Sequence, residues 1–148
     1  MEAKANCPEL SESGKRSESS ASTSSRENHE QIGSAIADAC AHLAQISPGI
    51  SISRDKHYQL SNRIAFAWKL ATLGIPIVLV YLGFTGDSGI ADVGEPFLND
   101  AHWQTVFGNH LSKVCPSPIA NAAVDCGAAR FWLLARSRPV LEISPPVI

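Results

Sequence analysis

The 148 residues carry 12 Lys/Arg against 14 Asp/Glu, a formal net charge of −2, and 45% of them are apolar. That length suits one domain around one hydrophobic core, and the apolar fraction excludes a wholly disordered chain. So small a charge gives no global attraction to nucleic acid or to an anionic membrane, so contact with a polyanion has to use a local patch.

Glu2-Ala3-Lys4-Ala5 alternates charged and small apolar residues, the pattern of a strand with one polar face, and Pro8 limits how far it runs. No apolar segment follows this charged opening, which argues against a secretion signal and for a cytoplasmic protein. Residues 11–25 are polar and serine-heavy, with nothing to offer a core, and read as a loop or a weak helix start. From Ser25 the pattern changes. Ile32, Ala35, Ile36, Ala39, Cys40, Leu43 and Ile46 recur at three- and four-residue steps, which predicts an amphipathic helix capped by Ser24 or Ser25 and stopped by Pro48-Gly49.

A second helix is predicted over 56–73, burying Leu60, Ile64, Ala67, Trp68 and Ala71, with Gly74 as its stop. Arg54, Lys56, Arg63 and Lys69 make this part of the chain basic. Residues 75–83, Ile-Pro-Ile-Val-Leu-Val-Tyr-Leu-Gly, form a continuous apolar run without alternation, which predicts a strand buried on both faces. A helix followed by such a strand is the repeat unit of an α/β layer. The uncharged stretch between Lys69 and Asp87 falls short of the roughly 18 residues of a membrane span and is β-branched at its centre, so no membrane is expected.

Residues 85–99 read as a loop and 98–113 as a third helix capped by Asn99 or Asp100. Beyond it, Pro116 and Pro118 break the chain; 120–129 reads as helical and 130–134 as a short strand, so 114–148 is taken as a Pro/Ala-rich tail outside a 1–113 core. A strand buried on both faces needs neighbours, and the pattern places them ahead of Met1. The expected fold class is α/β, an incomplete mixed sheet flanked by helices.

Glu2 and Lys4, at i and i+2 of a strand, project from one face. There a carboxylate can hold a divalent cation while an ammonium orients water and offsets charge building on a phosphate. The same spacing also describes an ordinary exposed ion pair. At the start of the second helix, Tyr58 with Asn62 and Gln59 with Arg63 are four apart and make two adjacent strips. Asn, Gln and Arg suit a phosphate or a bound water; Tyr suits a stacked base or a place against the core.

The remaining groups read more simply. Cys7, Cys40, Cys115 and Cys126 form no CxxC pair and match no zinc module, so they are taken as thiols. His57, His102 and His110 lack metal-ligand spacing and read as surface or capping residues, and Asp87 as a turn former. Gly83-x-x-Gly86-x-x-Gly89 lacks the Lys-Ser/Thr of a phosphate-binding loop.

Taken together, Glu-Ala-Lys-Ala at 2–5, Glu9-Leu10, the serine-rich stretch, His-Tyr-Gln-Leu-Ser-Asn-Arg-Ile-Ala at 57–65, the strand through Gly86-Asp87 and Ala101-His102-Trp103 resemble a bacterial branch of the PD-(D/E)xK nuclease-like superfamily. The likeness spans Met1 to about His110. It implies a restriction-endonuclease-like sheet, DNA as partner, and Mg²⁺ or Mn²⁺ as cofactor. Residue by residue, it implies Glu2 as metal-binding acid, Lys4 as catalytic lysine, Gln59 as a polar residue lining the site, and Tyr58, Asn62 and Arg63 as nucleic-acid contacts. The acid that the superfamily carries on the preceding strand has no counterpart, because Asp38, Asp55 and Asp87 all lie after the motif. One carboxylate makes a poor Mg²⁺ site. The expectation is therefore a front-truncated nuclease-like chain, inactive as written, whose complete relatives hydrolyse DNA. The alternative is a non-catalytic α/β interaction domain, using an open sheet edge to meet a protein partner or itself.

Overall fold

Residues 1–11, 22–115 and 119–141 are described by the structure, a computed structural model. Its elements run β1 (Glu2–Lys4), α1 (Thr23–Ile46), α2 (Tyr58–Thr72), β2 (Ile77–Thr85), α3 (Asp100–Ser112), β3 (Ala123–Asp125) and β4 (Arg130–Pro139), with 3-10 turns at Cys7–Leu10 and Ser88–Ile90. The four strands make one mixed sheet in the order β1-β2-β4-β3, as the α/β expectation requires. β2 is parallel to β1 and to β4, while β3 is antiparallel to β4.

The neighbours of β2 come from both ends of the chain. β4 pairs with it from Ile77↔Phe131 to Thr85↔Pro139, so the stretch expected as an accessory tail supplies a central strand. The helix expected over 120–129 is replaced by β3 and a turn, in which Val124 is buried opposite Phe131. Alanines and a valine in so short a run fit either period, and pairing with β4 decides between them. β4 runs past the expected 130–134 because the alternation of Phe131, Leu133 and Ala135 toward the core continues.

Residues paired across a parallel ladder share a face, so Glu2, Lys4, Leu79, Tyr81, Gly83, Leu133 and Ala135 all point to one side of the sheet. There the Tyr81 ring lies 4.8 Å from Phe107 of α3, and Trp103 stacks on Phe107 at 5.2 Å and meets Phe97 edge-on at 4.9 Å. α2 covers the same side, and α1 packs on α2 through its buried Ile36, Ala39 and Leu43. On the other side Val78, Val80, Leu82, Phe84, Trp132 and Leu134 line up with no described helix over them; Val78 is 54% exposed and the rest are half-buried. Among the described residues, then, helices cover β2 on one face, not on both as the continuous apolar run implies. Both steps, β1 to β2 and β2 to β4, go the same way across the sheet, and right-handed crossovers in one direction place their helices on one face.

Local details follow the same logic. Ser22, rather than Ser24 or Ser25, caps α1: its side chain accepts from Ser25 N–H, and any of several neighbouring serines has the chemistry for the role. At the far end of α1, Ile46, expected in the apolar stripe, is 49% exposed. Residues 12–21 of the expected serine-rich loop lie outside the described residues. α2 buries the stripe read from its sequence, and Asn99 caps α3, its Oδ1 accepting from His102 N–H at 2.9 Å. Asp100 ties α3 to the sheet, its Oδ1 accepting from Ser137 Oγ at 2.7 Å and from Gln104 Nε2 at 3.3 Å. These bonds, that of Ser137 first, hold its carboxyl below the ordinary 3.8.

Two outcomes are expected. A side chain at Gly83 would run into the Trp103 ring, so Gly83→Ala should cost about 1–3 kcal/mol, read as a lower urea midpoint with an unchanged slope. A depressed folded-state pKa contributes stability above the unfolded value that is lost as pH falls through the folded one. Asp100→Asn should therefore lower the melting temperature at neutral pH, and the gap to the parent should close as the pH drops below the ordinary carboxylate range.

Candidate functional site

The register of β1, Glu2↔Tyr81 and Lys4↔Gly83, turns both charged side chains toward α2. The apolar stripe of α2 faces the core, which leaves Gln59 and Arg63, one turn apart, on the flank nearest β1. Lys4 is only 7% exposed. Its Nζ lies 3.2 Å from Glu2 Oε1 and donates to Gln59 Oε1 at 3.4 Å. The second Glu2 oxygen pairs with the Arg63 guanidinium, whose Nη1 also donates to the Gln59 carbonyl at 3.2 Å. Four residues that the sequence singled out thus meet in one charged cluster, in which each buried charge has an opposite partner.

The other two residues of that helix sit differently. Tyr58 is half-buried and packs against the core. Asn62 is half-buried beside Arg63, lining a groove with Met1 and Phe66. Mg²⁺ or Mn²⁺ does not fit the cluster as it stands. Glu2 is its one carboxylate, both of whose oxygens already face cations, whereas Mg²⁺ takes a near-octahedral set of hard oxygens. The other acids considered are engaged elsewhere: Asp55 pairs with Arg54, Asp87 accepts from Gly89 N–H, and Asp38 lines the groove between α1 and α2. β1 has β2 on one side and, among the described residues, no strand on the other.

A second constellation escapes sequence reading. Cys7 Sγ, a Glu95 carboxylate oxygen and a ring nitrogen of His102 lie within 4.8 Å of one another. They come from the turn after β1, the loop after β2 and the first turn of α3, so no spacing announces them. Cys7 N–H donates to the Glu95 carbonyl at 2.8 Å, and His102 Nδ1 accepts from Leu98 N–H at 3.1 Å. Burial pushes the Cys7 thiol up from its ordinary value, and the Glu95 charge pushes it further. Asp87 is the turn former its sequence context implies.

No family model, curated protein or solved structure matches the chain, so the geometry alone bears on its chemistry. Among the described residues, no helix is long and apolar enough to cross a membrane.

Removing one partner of the Lys4 cluster leaves an under-compensated ammonium. Glu2→Gln should therefore cost about 1–3 kcal/mol in urea unfolding. Glu2→Leu combined with Lys4→Met should recover most of that loss, because the buried pair is replaced by packing of similar volume while Arg63, a third exposed, is left to solvent.

Proposed function

We propose that the chain is a nuclease-like α/β domain that does not hydrolyse phosphodiesters by itself and that engages DNA phosphates along the basic flank of α2. The convergence of Glu2, Lys4 and Gln59 between a strand and a helix carries this reading, because it is the acid–lysine–polar arrangement to which the PD-(D/E)xK likeness leads. Arg54, Lys56, Arg63 and Lys69 lie in or just before α2; Arg54 and Arg63 are paired with Asp55 and Glu2, so the local positive field on a chain whose net charge is −2 comes chiefly from Lys56 and Lys69. With its single carboxylate held by two cations, the cluster polarises no phosphate through a metal, and no hydrolytic step is assigned to it.

The sheet surface opposite the helices favours a second reading, a protein-interaction domain. Val78, Val80, Leu82, Phe84, Trp132 and Leu134 form an apolar face with Arg136 and Arg138 at one end.

Fluorescence anisotropy with a labelled DNA duplex, together with nicking of supercoiled plasmid in Mg²⁺ or Mn²⁺, separates the two. The expected result is salt-sensitive binding without nicking, with Lys56→Ala and Lys69→Ala each lowering the log–log salt slope by about one. Metal-dependent nicking by the unaltered chain would overturn the non-hydrolysing assignment. Absence of binding at low salt would overturn the DNA assignment and leave the interaction domain.

A further inference from the structure

The turn after β1 and the loop after β2 meet just beyond the carboxyl ends of these parallel strands, the side on which open α/β sheets place ligands. Asn6 bridges Pro96 in antiparallel fashion, Cys7 N–H holds the Glu95 carbonyl, and Gly86 N–H holds the Phe97 carbonyl at 2.8 Å. Gly94 permits the contact, since a Cβ there would come within 2.9 Å of Pro8 Cγ and 3.1 Å of Asn6 Cγ. His102 is fixed from the third side. Its backbone is bonded by Asn99, its ring nitrogen by Leu98, and its ring lies 6.4 Å from Phe97.

We propose that Cys7, Glu95 and His102 form a binding site for one thiophilic divalent cation, Zn²⁺ foremost, with water as fourth ligand. The donor set is sulfur, imidazole nitrogen and carboxylate oxygen, a mixture that suits Zn²⁺ and disfavours Mg²⁺ and Ca²⁺. Zinc–ligand bonds of about 2.0–2.3 Å place tetrahedral donors roughly 3.3–3.6 Å apart. The present donors, all within 4.8 Å of one another, draw together by about 1 Å as metal binds, and the exposed Glu95 side chain is free to move toward it. A thiol beside a carboxylate is poorly placed to ionise alone, and a cation between them reverses that relation. Three protein ligands and one water is the composition of an open zinc site, not of a closed structural one.

Cys7 releases its S–H proton to solvent and binds as thiolate, while His102 binds as neutral imidazole and keeps one N–H. If Nδ1 ligates, the metal replaces Leu98 N–H as its partner. If Nε2 ligates, its proton moves to Nδ1, which then cannot accept from Leu98. Either way the Leu98 amide loses its bond when metal enters. The site is independent of the DNA reading, since it uses none of Glu2, Lys4, Gln59 or Arg63.

Titration of the metal-stripped full chain with Co²⁺, followed by displacement with Zn²⁺, tests this. One Co²⁺ per chain should bind with thiolate-to-cobalt charge-transfer absorption and tetrahedral visible bands, and Zn²⁺ but not Mg²⁺ should displace it. Cys7→Ser should abolish the charge-transfer band, and Cys126→Ser should leave it intact. Glu95→Gln, at an exposed side chain, should weaken binding about 10-fold or more with an unchanged far-ultraviolet spectrum. Exchange of the Leu98 amide should quicken on metal addition. A charge-transfer band that survives Cys7→Ser, or no such band at saturating Co²⁺ in a folded chain, overturns the assignment.

Discussion

Two parallel crossovers taken in the same direction, β1 to β2 and then β2 to β4, constrain nearly everything else in this structure. A right-handed crossover returns its helix to a face set by the direction of travel, so two such steps stack their helices on one side. That side receives Tyr81, Leu133, Phe131 and the Trp103–Phe107 pair, and it is where β1 must present its polar residues if they are to meet a helix at all. It also leaves the opposite face of β2 and β4 apolar and partly open. A continuous Ile-Val-Leu-Val run therefore has two different surroundings on its two sides, although its composition is the same on both.

The charged cluster shows how a short strand acquires meaning from its neighbours. Glu2 and Lys4 share a face by strand periodicity, and Gln59 and Arg63 share one by helix periodicity; both facts are legible in the sequence. What joins the two pairs is the pairing of β1 with the middle of β2 beneath α2, over a separation of 55 residues between Lys4 and Gln59. The joining also changes the chemistry. A carboxylate read as a metal ligand is instead neutralised by an ammonium and a guanidinium, which stabilises Lys4 in a buried position and leaves the oxygens with no vacancy for a hard cation.

The Cys7–Glu95–His102 grouping is the opposite case. Each residue alone reads as ordinary: a thiol, a loop acid, a helix cap. They converge because the segment around Gly94 runs against Asn6 and Pro8, and because Asn99 starts α3 where it does. A cap at Asn99 or Asp100 is visible in the sequence, but the choice of Asn99 and the approach of two distant loops are not.

By itself, the sequence determined the α/β class, the apolar stripe and stop of α2, the start of α3 at Asn99 or Asp100, and the common face of Glu2 and Lys4. Those features depend on interactions within a few residues, where the 3.6 and 2.0 periodicities and local hydrogen bonds decide the outcome. Tertiary structure alone decided that β4 is a central strand, that 120–129 yields β3 instead of a helix, and that, among the described residues, helices cover β2 on one face. It also decided which acids meet which cations. These are matters of strand order and crossover handedness, which arise from pairings between segments far apart in the chain and leave no periodic trace in either one.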